Sequence, residues 1–404
     1  MANRNLQSAK AVKNDEFYTQ FNDIQKEIQA YLDYDKDVFK GKVVYCNCDD
    51  PFESNFFRYF VLNFKNLGLK RLITTSYKPS PIANTELILQ PSLLLGEKDK
   101  IVSEPIGQKG RPKVTANKFI INEVHDIDGD GEFNLKDIAK QLKANKHNEW
   151  MPLEGDGDFR SDESINLLKQ SDIVVTNPPF SLFREYIKQL VDYNKKFLII
   201  GNINAITYKE VFPLLKENKV WLGESIHSGD REFIVPHYIF KEIGNWRTDE
   251  NGVHYARVMG VRWFTNLDHG RRHQPLQLMT ETEVIKFTTK KPFDKYDNYE
   301  AIEVPLVKNI PSDYNGVMGV PISFLDKYNP EQFEILGSDA YDGSPPTKKY
   351  SNKVRVVDGV RMKSNTGTMG CVIKESDFGS GTYFDVGYPV RAVYKRIFIR
   401  HKKN

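Results

Sequence analysis

Apolar residues along the first half of the chain follow two alternating spacings. Short continuous apolar runs are typical of buried strands, and recurrence every three or four residues is typical of one helix face. The runs lie at residues 43–45, 72–75, 173–176 and 197–201, and the helical spacing lies at residues 15–34, 56–64, 163–169 and 182–191. Strand, helix and strand in this order predict an α/β fold built on a parallel sheet.

Two parts of the chain depart from this rhythm. Residues from about 78 to 154 hold a basic stretch and an acidic loop, and we interpret them as an insertion in a core that spans residues 1–220. After residue 220, aromatic and β-branched runs alternate with turn residues, which predicts a β-rich or mixed region over residues 221–404. Within it, Asn251 and Gly252 predict a hairpin turn, and residues 258–264 predict a strand.

Bulk composition narrows the class of protein. The 404 residues are 40% hydrophobic and 27% charged, as in a folded globular protein rather than a disordered one. No apolar run reaches the roughly 20 residues that span a bilayer, and the three cysteines have no spacing typical of a disulfide framework. We therefore expect a cytoplasmic protein without membrane association. The net charge is only +3, so a nucleic-acid partner has to be inferred from local basic stretches.

The most specific chemical motif is Asn177, Pro178, Pro179 and Phe180, directly after the strand pattern at residues 173–176. The carboxyl end of a strand in a doubly wound sheet faces the ligand crevice. Two prolines remove two amide donors there and leave the Pro178 carbonyl and the Asn177 side-chain carbonyl as acceptors. Acceptors aimed at the hydrogens of an adenine amine would localise its lone pair for attack on a methyl sulfonium, and a base can stack on Phe180. The structural alternative is a rigid turn with a buried aromatic side chain.

With this motif, the chain resembles the EcoRI-type family of adenine-specific DNA methyltransferases. The motif is the amino-methyltransferase signature, and further similarity is spread over most of the chain. The segments that carry it are residues 15–20, 48–51, 54–56, 155–161, 176–183, 261–267 and 324–330. The resemblance implies a Rossmann-like S-adenosylmethionine-dependent methyltransferase core with a C-terminal target-recognition and DNA-binding region. It also implies S-adenosylmethionine as the methyl donor and duplex DNA as the substrate.

The expected function is site-specific methylation of the exocyclic amine of a flipped adenine in duplex DNA. A cognate restriction endonuclease would then be a partner in the same restriction-modification system. Two alternatives stay open. One is an amino-methyltransferase for RNA or for a protein glutamine, since the same tetrapeptide serves those substrates. The other is a DNA-binding protein with a degenerate site, against which the intact motif speaks.

The resemblance also assigns cofactor residues. Tyr18 and Thr19 resemble the segment that closes over the methionine part, and Asp158 and Phe159 resemble the pair that reads the cofactor adenine. A network around the helix N-cap at Ser161 is the structural alternative for Asp158. Four further residues follow the first strand, where the methionine end of the cofactor sits in such folds and acidic groups can pair with its ammonium: Asn47, Cys48, Asp49 and Asp50. The glycine-rich loop usual at this position is missing, and no acidic residue follows the second strand to hold the ribose.

An acidic loop in the predicted insertion has the oxygen spacing of a calcium site. Its candidate ligands are Asp126, Asp128, Asp130, Glu132, Asn134 and Asp137. The last position is aspartate instead of the usual bidentate glutamate, which weakens binding. A metal-free turn is the favoured alternative, and the reaction itself needs no metal.

Basic residues in several segments are candidate DNA contacts. Arg271 and Arg272 lie in a polar loop, where they can neutralise phosphates. The basic stretch at residues 109–113 suits either a minor groove or a solvated loop, and the tail at residues 394–403 suits either phosphates or solubility.

Overall fold

The computed structural model describes most of the chain, and the division into two compact units organises it. The described residues are 19–48, 54–76, 85–91, 99–105, 116–127, 129, 133–144, 147–227, 230–234, 246–250, 252–288, 293–339, 345–363, 369–375 and 381–402. The first unit comprises Met1–Ala205 and Leu222–Gly270, and the second comprises Ile206–Trp221 and Arg271–Asn404. The segment Leu222–Gly270, which the sequence pattern grouped with the C-terminal region, therefore belongs to the first unit.

Helices and strands alternate along the first unit, and strands dominate the second. The α-helices of the described residues are α1 (Phe21–Tyr34), α2 (Asn55–Leu62), α3 (Leu135–Ala144), α4 (Asp162–Gln170), α5 (Phe183–Asp192), α6 (Phe212–Lys216) and α7 (Glu281–Phe287). The strands up to residue 265 are β1 (Val43–Cys46), β2 (Arg71–Thr75), β3 (Thr85–Pro91), β4 (Asp99–Pro105), β5 (Asn117–Ile121), β6 (Glu149–Pro152), β7 (Ile173–Thr176), β8 (Lys196–Asn202), β9 (Trp221–Leu222), β10 (Asp230–Ile234), β11 (Trp246–Thr248), β12 (His254–Met259) and β13 (Val261–Thr265). The later strands are β14 (Ile302–Glu303), β15 (Met318–Pro321), β16 (Phe333–Ser338), β17 (Val354–Val357), β18 (Val360–Lys363), β19 (Val372–Lys374), β20 (Thr382–Asp385), β21 (Pro389–Ala392) and β22 (Arg396–His401).

The largest sheet places a strand-order reversal at its centre. Its order is β6-β5-β2-β1-β7-β8-β13-β9. β1, β2, β7 and β8 pair in parallel, whereas β5, β6 and β13 run antiparallel to their neighbours. The chain leaves β1 for β2 on one side, and β7 pairs with β1 on the other side. Ligands bind at such a switch point, beyond the carboxyl ends of the two strands.

The central strands are buried on both faces, which explains their continuous apolar runs. Every residue of β1 and of β7 is buried. On the flanking helices, the residues at helical spacing are the ones that pack inward, among them Phe56, Phe60, Tyr186 and Leu190. Burying one such large side chain stabilises the fold by about 1.5–3 kcal/mol.

Three sequence predictions are refined by these elements. The first helix begins at Phe21 within the described residues, later than the predicted residue 15. Residues 258–264 form parts of two strands, because Gly260 has φ +71° and turns the chain between β12 and β13. β13 joins the large sheet, whereas β12 belongs to an antiparallel sheet of order β10-β12-β11. The predicted hairpin is confirmed by the antiparallel pairing of β11 with β12 around Gly252, while Asn251 itself lies outside the described residues.

The predicted insertion supplies strands to the large sheet and also forms a separate pair of strands. β5 pairs with β2 and β6 with β5, so residues from the insertion extend this sheet at one edge. β3 and β4 form a separate antiparallel pair. The described fold is therefore mixed α/β with one large parallel and antiparallel sheet.

In the described residues of the second unit, the strands form two antiparallel-rich sheets, accompanied by short helices. Their strand orders are β14-β15-β22-β16 and β18-β17-β20-β21-β19. A buried ion pair between Arg396 and Glu303, with 2.5 Å between Nη2 and Oε1, ties β22 to β14. Among the residues described, no helix is long and apolar enough to cross a membrane.

Candidate functional site

The predicted cofactor segment after β1 and the Asn-Pro-Pro-Phe motif after β7 lie next to each other at the switch point of the large sheet. Asn47 directly follows β1, and Asn177 directly follows β7, the neighbouring parallel strand. The Thr176 hydroxyl donates a hydrogen bond to the Asn47 carbonyl. Thr176 is fully buried and Asn47 is 2% exposed, so this contact is part of the floor of the site. Residues separated by 129 positions in the sequence are thereby joined.

The Asn-Pro-Pro-Phe motif, residues 177–180, forms the segment directly after β7, and its two prolines restrict the backbone there. Pro178 is buried, while Asn177, Pro179 and Phe180 are half-buried. Pro179 has an extended backbone with φ −55° and ψ 124°, and a short 3₁₀ turn from Phe180 to Leu182 then leads into α5. Phe180 packs against the core with part of its side chain and remains partly exposed. This placement suits an aromatic ring that is held by its packing against the core and on which a planar group can stack.

The loop after β1 makes a glycine-like turn without glycine. Cys48 has φ +68°, in the left-handed region that non-glycine residues rarely occupy. Helix α2 begins shortly afterwards, and Ser54 caps it by accepting a hydrogen bond from the Phe56 amide at 3.1 Å. Asn55 Nδ2 donates to the Thr19 carbonyl at 2.8 Å, which holds Thr19 at the start of α2. Cys48 therefore places a left-handed backbone conformation directly after Asn47, at a position that has no glycine.

Three of the predicted cofactor residues lie outside the described residues. They are Tyr18, Asp49 and Asp50. Their assigned roles stay predictions, whereas the structure brings Thr19, Asn47 and Cys48 to the same edge of the sheet.

The predicted adenine-reading segment is held tightly against the end of β2. Gly157 has φ +76°, and a Cβ atom built on it would lie 1.9 Å from the Ser76 carbonyl oxygen. Only glycine fits this approach of two backbones. Phe159, two residues later, is 4% exposed. The segment therefore reaches the carboxyl edge of the sheet next to the switch point.

Asp158 is engaged by a neighbouring arginine. Arg160 donates to both carboxylate oxygens, from Nε at 2.9 Å and from Nη2 at 2.7 Å. These hydrogen bonds hold the pKa of Asp158 below its usual range, although burial acts in the opposite direction. The helix N-cap is Ser161, which accepts from the Ser164 amide at 3.2 Å. A cofactor amine would therefore have to share the Asp158 carboxylate with Arg160.

Tyr186 contacts two of the predicted cofactor residues, and the sequence pattern did not identify it. It lies in α5, is fully buried, and donates its hydroxyl to Asn47 Oδ1. Its ring also meets Phe159 edge to face, with 5.0 Å between centroids and 77° between planes. Its helical spacing alone gave it no role beyond the core stripe of α5, because a packing tyrosine and a tyrosine with a site contact have the same periodicity.

The polar atoms at this edge suit the cofactor that the family resemblance implies. S-adenosylmethionine carries hydrogen-bonding groups at both ends, so its binding residues should hold polar atoms not satisfied by the protein alone. Buried Thr19 Oγ1 and Asn117 Nδ2 have no hydrogen-bond partner within the part of the chain that the structure describes. The backbone N–H of Asn117 donates to Ser76 Oγ at 2.9 Å, which places Asn117 beside the end of β2. The residues present therefore fit the cofactor.

The acidic loop uses its last aspartate for backbone contacts. Asp137 is fully buried, and its two carboxylate oxygens accept from the Ile127 amide at 2.7 Å and the Asn134 amide at 2.9 Å. Asp126 accepts from the Gly129 amide at 2.7 Å. The other candidate ligands, Asp128, Asp130 and Glu132, lie outside the described residues. Among the residues described, no group of three or more histidine, cysteine, aspartate or glutamate side chains could hold a metal ion. The contacts of Asp137 favour the metal-free turn.

The two arginines proposed for DNA contact differ in their surroundings within the second unit. Arg272 is 7% exposed, its guanidinium lies 3.7 Å from the centroid of the Trp221 ring, and Nη2 donates to Asn218 Oδ1 at 2.5 Å. Arg271 is half-buried and donates from Nε to the Asp326 carbonyl at 3.1 Å. The burial of Arg272 favours a packing role, while Arg271 stays a candidate for DNA contact.

Comparison with known proteins gives matches over most of the chain. A family model described as adenine-specific methyltransferase EcoRI matches residues 5–402. The chain is 46% identical over 334 residues to the Type II methyltransferase M.EcoRI of Escherichia coli, covering 83% of this chain and 89% of that protein. It is 36% identical over 337 residues to the Type II methyltransferase M.MpnI of Mycoplasma pneumoniae, covering 81% and 83%. No solved structure matches the chain significantly.

Proposed function

The chain belongs to the EcoRI-type adenine-specific methyltransferase family and is a site-specific DNA methyltransferase, and from this premise we propose that residues 177–180 receive the target adenine. The contact of Thr176 with Asn47 carries this proposal. It holds the substrate motif against the end of β1, where the methionine end of a bound cofactor is expected. Donor and acceptor of the methyl group would then be held in one orientation, which removes much of the entropic barrier to the reaction.

The groups of residues 177–180 have distinct proposed roles. The Asn177 side-chain carbonyl and the Pro178 backbone carbonyl accept the two amine hydrogens and so concentrate the nitrogen lone pair. Phe180 stacks on the base after it has been flipped out of the duplex. When bound, S-adenosylmethionine supplies an electrophilic methyl group on a sulfonium. The proposed transfer is direct and requires no covalent intermediate on the protein.

The proposed cofactor site runs along the carboxyl ends of β1 and β2. Asn47, Cys48 and Thr19 lie at the proposed methionine end, and Asp158 and Phe159 at the proposed adenine end. The ribose is expected beside the end of β2. Asn117, whose Nδ2 is buried without a partner in the described part of the chain, is our candidate for that contact in place of the missing acidic residue. This arrangement is what a Rossmann-like methyltransferase core would require.

The remaining chain is proposed to select the DNA target. The second unit supplies β-rich sheets with exposed basic side chains, among them Arg355, Arg391 and Arg400. Basic side chains on such surfaces suit phosphate contacts, which position a duplex without reading its sequence. A cognate restriction endonuclease remains a proposed partner, because the relatives are named Type II methyltransferases.

The proposed site can be tested by comparing substrates and ring variants. Methyl incorporation should be found in duplex DNA and not in RNA or protein, and a preference for either of those would contradict the substrate assignment. Phe180→Ala should weaken stacking of the flipped base by about 1–3 kcal/mol, whereas Phe180→Trp should retain most activity. A fluorescent adenine analogue at the target position should brighten with wild type and less with Phe180→Ala. Equal brightening would argue against base stacking on Phe180.

A further inference from the structure

Tyr186 lies where the two ends of the proposed cofactor site come together. It is fully buried in α5, its hydroxyl donates to the side-chain carbonyl of Asn47, and its ring edge meets Phe159. Asn47 belongs to the segment after β1, and Phe159 belongs to the segment beside β2. One side chain thus contacts both segments that are proposed to hold the cofactor.

The hydrogen bonds of Asn47 define what this residue can offer a ligand. Its backbone carbonyl accepts from Thr176, and its side-chain carbonyl accepts from Tyr186. The hydrogen-bonding group left at the end of the side chain is the Nδ2 amide, which carries two donors and no acceptor. A donor of this kind suits a carboxylate, which is what the amino-acid end of the cofactor carries beside its ammonium group.

We propose that Tyr186 is a positioning residue whose hydroxyl fixes the Asn47 amide with Nδ2 towards the cofactor carboxylate. The inference rests on the proposed cofactor site. Without the hydroxyl, the amide gains nothing from this orientation and can rotate by half a turn. It would then present Oδ1, an acceptor, to a negatively charged group, and the interaction would change from attractive to repulsive.

The ring and the hydroxyl of Tyr186 act on different ends of the cofactor. The edge-to-face contact with Phe159 requires only the ring, which phenylalanine keeps. Gln189, on the same helix, also holds this segment by donating to the Phe159 carbonyl at 3.0 Å. Tyr186→Phe should therefore disturb the amino-acid end alone, whereas Tyr186→Leu should disturb both ends.

Two ligands separate these effects in a calorimetric binding experiment. S-adenosylhomocysteine keeps the amino-acid end of the cofactor, and 5′-methylthioadenosine lacks it. Tyr186→Phe should bind S-adenosylhomocysteine about three- to tenfold more weakly than wild type, the effect of one hydrogen bond. Its affinity for 5′-methylthioadenosine should stay within about twofold of wild type. Tyr193→Phe is the matched control, because Tyr193 follows the same helix and is 37% exposed.

The ratio of the two affinities decides the inference. An equal loss for both ligands in Tyr186→Phe would overturn it, because a tyrosine that only supports the fold cannot tell the ligands apart. Unchanged affinity for both ligands would overturn it as well, while leaving the proposed cofactor site intact. If wild type binds neither ligand, the proposed cofactor site itself fails. Thermal unfolding of each variant shows that the ratios are read on folded protein.

Discussion

Gly157→Ala is a severe and specific test of residues 157–159, the segment proposed to read the cofactor adenine. The new Cβ would lie 1.9 Å from the Ser76 carbonyl oxygen and 3.2 Å from the Ala116 Cβ, at a φ of +76°. To reach even 3.0 Å from that oxygen, the two backbones would have to separate by 3.0 − 1.9 = 1.1 Å. The left-handed backbone costs alanine about 1–2 kcal/mol, and overpacking costs about 1–3 kcal/mol more. We expect a total destabilisation of about 2–5 kcal/mol.

The same shift should reach the cofactor, because Asp158 and Phe159 follow directly. A displacement of about 1 Å in a binding residue can cost up to 100-fold. We expect calorimetry to give at least a tenfold loss in affinity for S-adenosylhomocysteine. Thermal unfolding should shift by roughly 4–20 °C.

Two glycines provide matched controls for this variant. Gly129 has φ +74° with nothing within 4 Å of a built Cβ, so Gly129→Ala carries the backbone strain without the clash. Gly155 has neither feature, so Gly155→Ala should behave as wild type within about 0.5 kcal/mol. If Gly157→Ala melts and binds like Gly155→Ala, the close packing of this segment against β2 has been misjudged.

Three further outcomes follow from the described contacts. Millimolar calcium should leave the melting temperature unchanged, because Asp137 already accepts two backbone hydrogen bonds, and a clear rise would restore the calcium interpretation. Arg271→Ala should weaken DNA binding and flatten its salt dependence, whereas Arg272→Ala should chiefly lower the melting temperature, and the reverse pattern would contradict these roles. Burial alone would raise the pKa of Asp297, but hydrogen bonds from two tyrosines and two lysines lower it to about 2. The ionised Asp297 carboxylate therefore stabilises the fold at pH values above its ordinary pKa, and this stabilisation is lost as the pH falls towards 2. In Asp297→Asn, the free energy of unfolding should therefore change less than in wild type between about pH 4 and pH 2.

The central strands could be predicted from the sequence because strands that are buried on both faces consist of consecutive apolar residues. The apolar run at residues 173–176 predicts a strand, and the structure has β7 with the same bounds. The pattern could not separate β12 from β13, because both are strands and only the backbone angle of Gly260 divides them. Sheet membership depends on long-range pairing, which periodicity does not contain.

The candidate site was predictable where a motif carries its own chemistry and was not where contacts are tertiary. Asn177 and Phe180 stand in a recognisable motif, and both lie at the switch point of the sheet. Tyr186 has the spacing of any buried helix residue, and only its partners reveal a further role. The positive φ of Cys48 had no signal either, because cysteine is not a residue from which a left-handed turn is expected.

Turnover by Asn177→Ala is the most direct test of the central claim that residues 177–180 activate the adenine amine. Loss of a catalytic acceptor in a site that excludes water costs about 3 kcal/mol, so methylation of duplex DNA should fall by roughly 100-fold or more. Affinities for S-adenosylhomocysteine and for DNA should remain within about twofold, since the acceptor acts on the transition state. Asn166→Ala, on the exposed face of α4, should methylate DNA as wild type does. A folded Asn177→Ala protein that methylates DNA at a near wild-type rate would show that this strand end is only a structural turn.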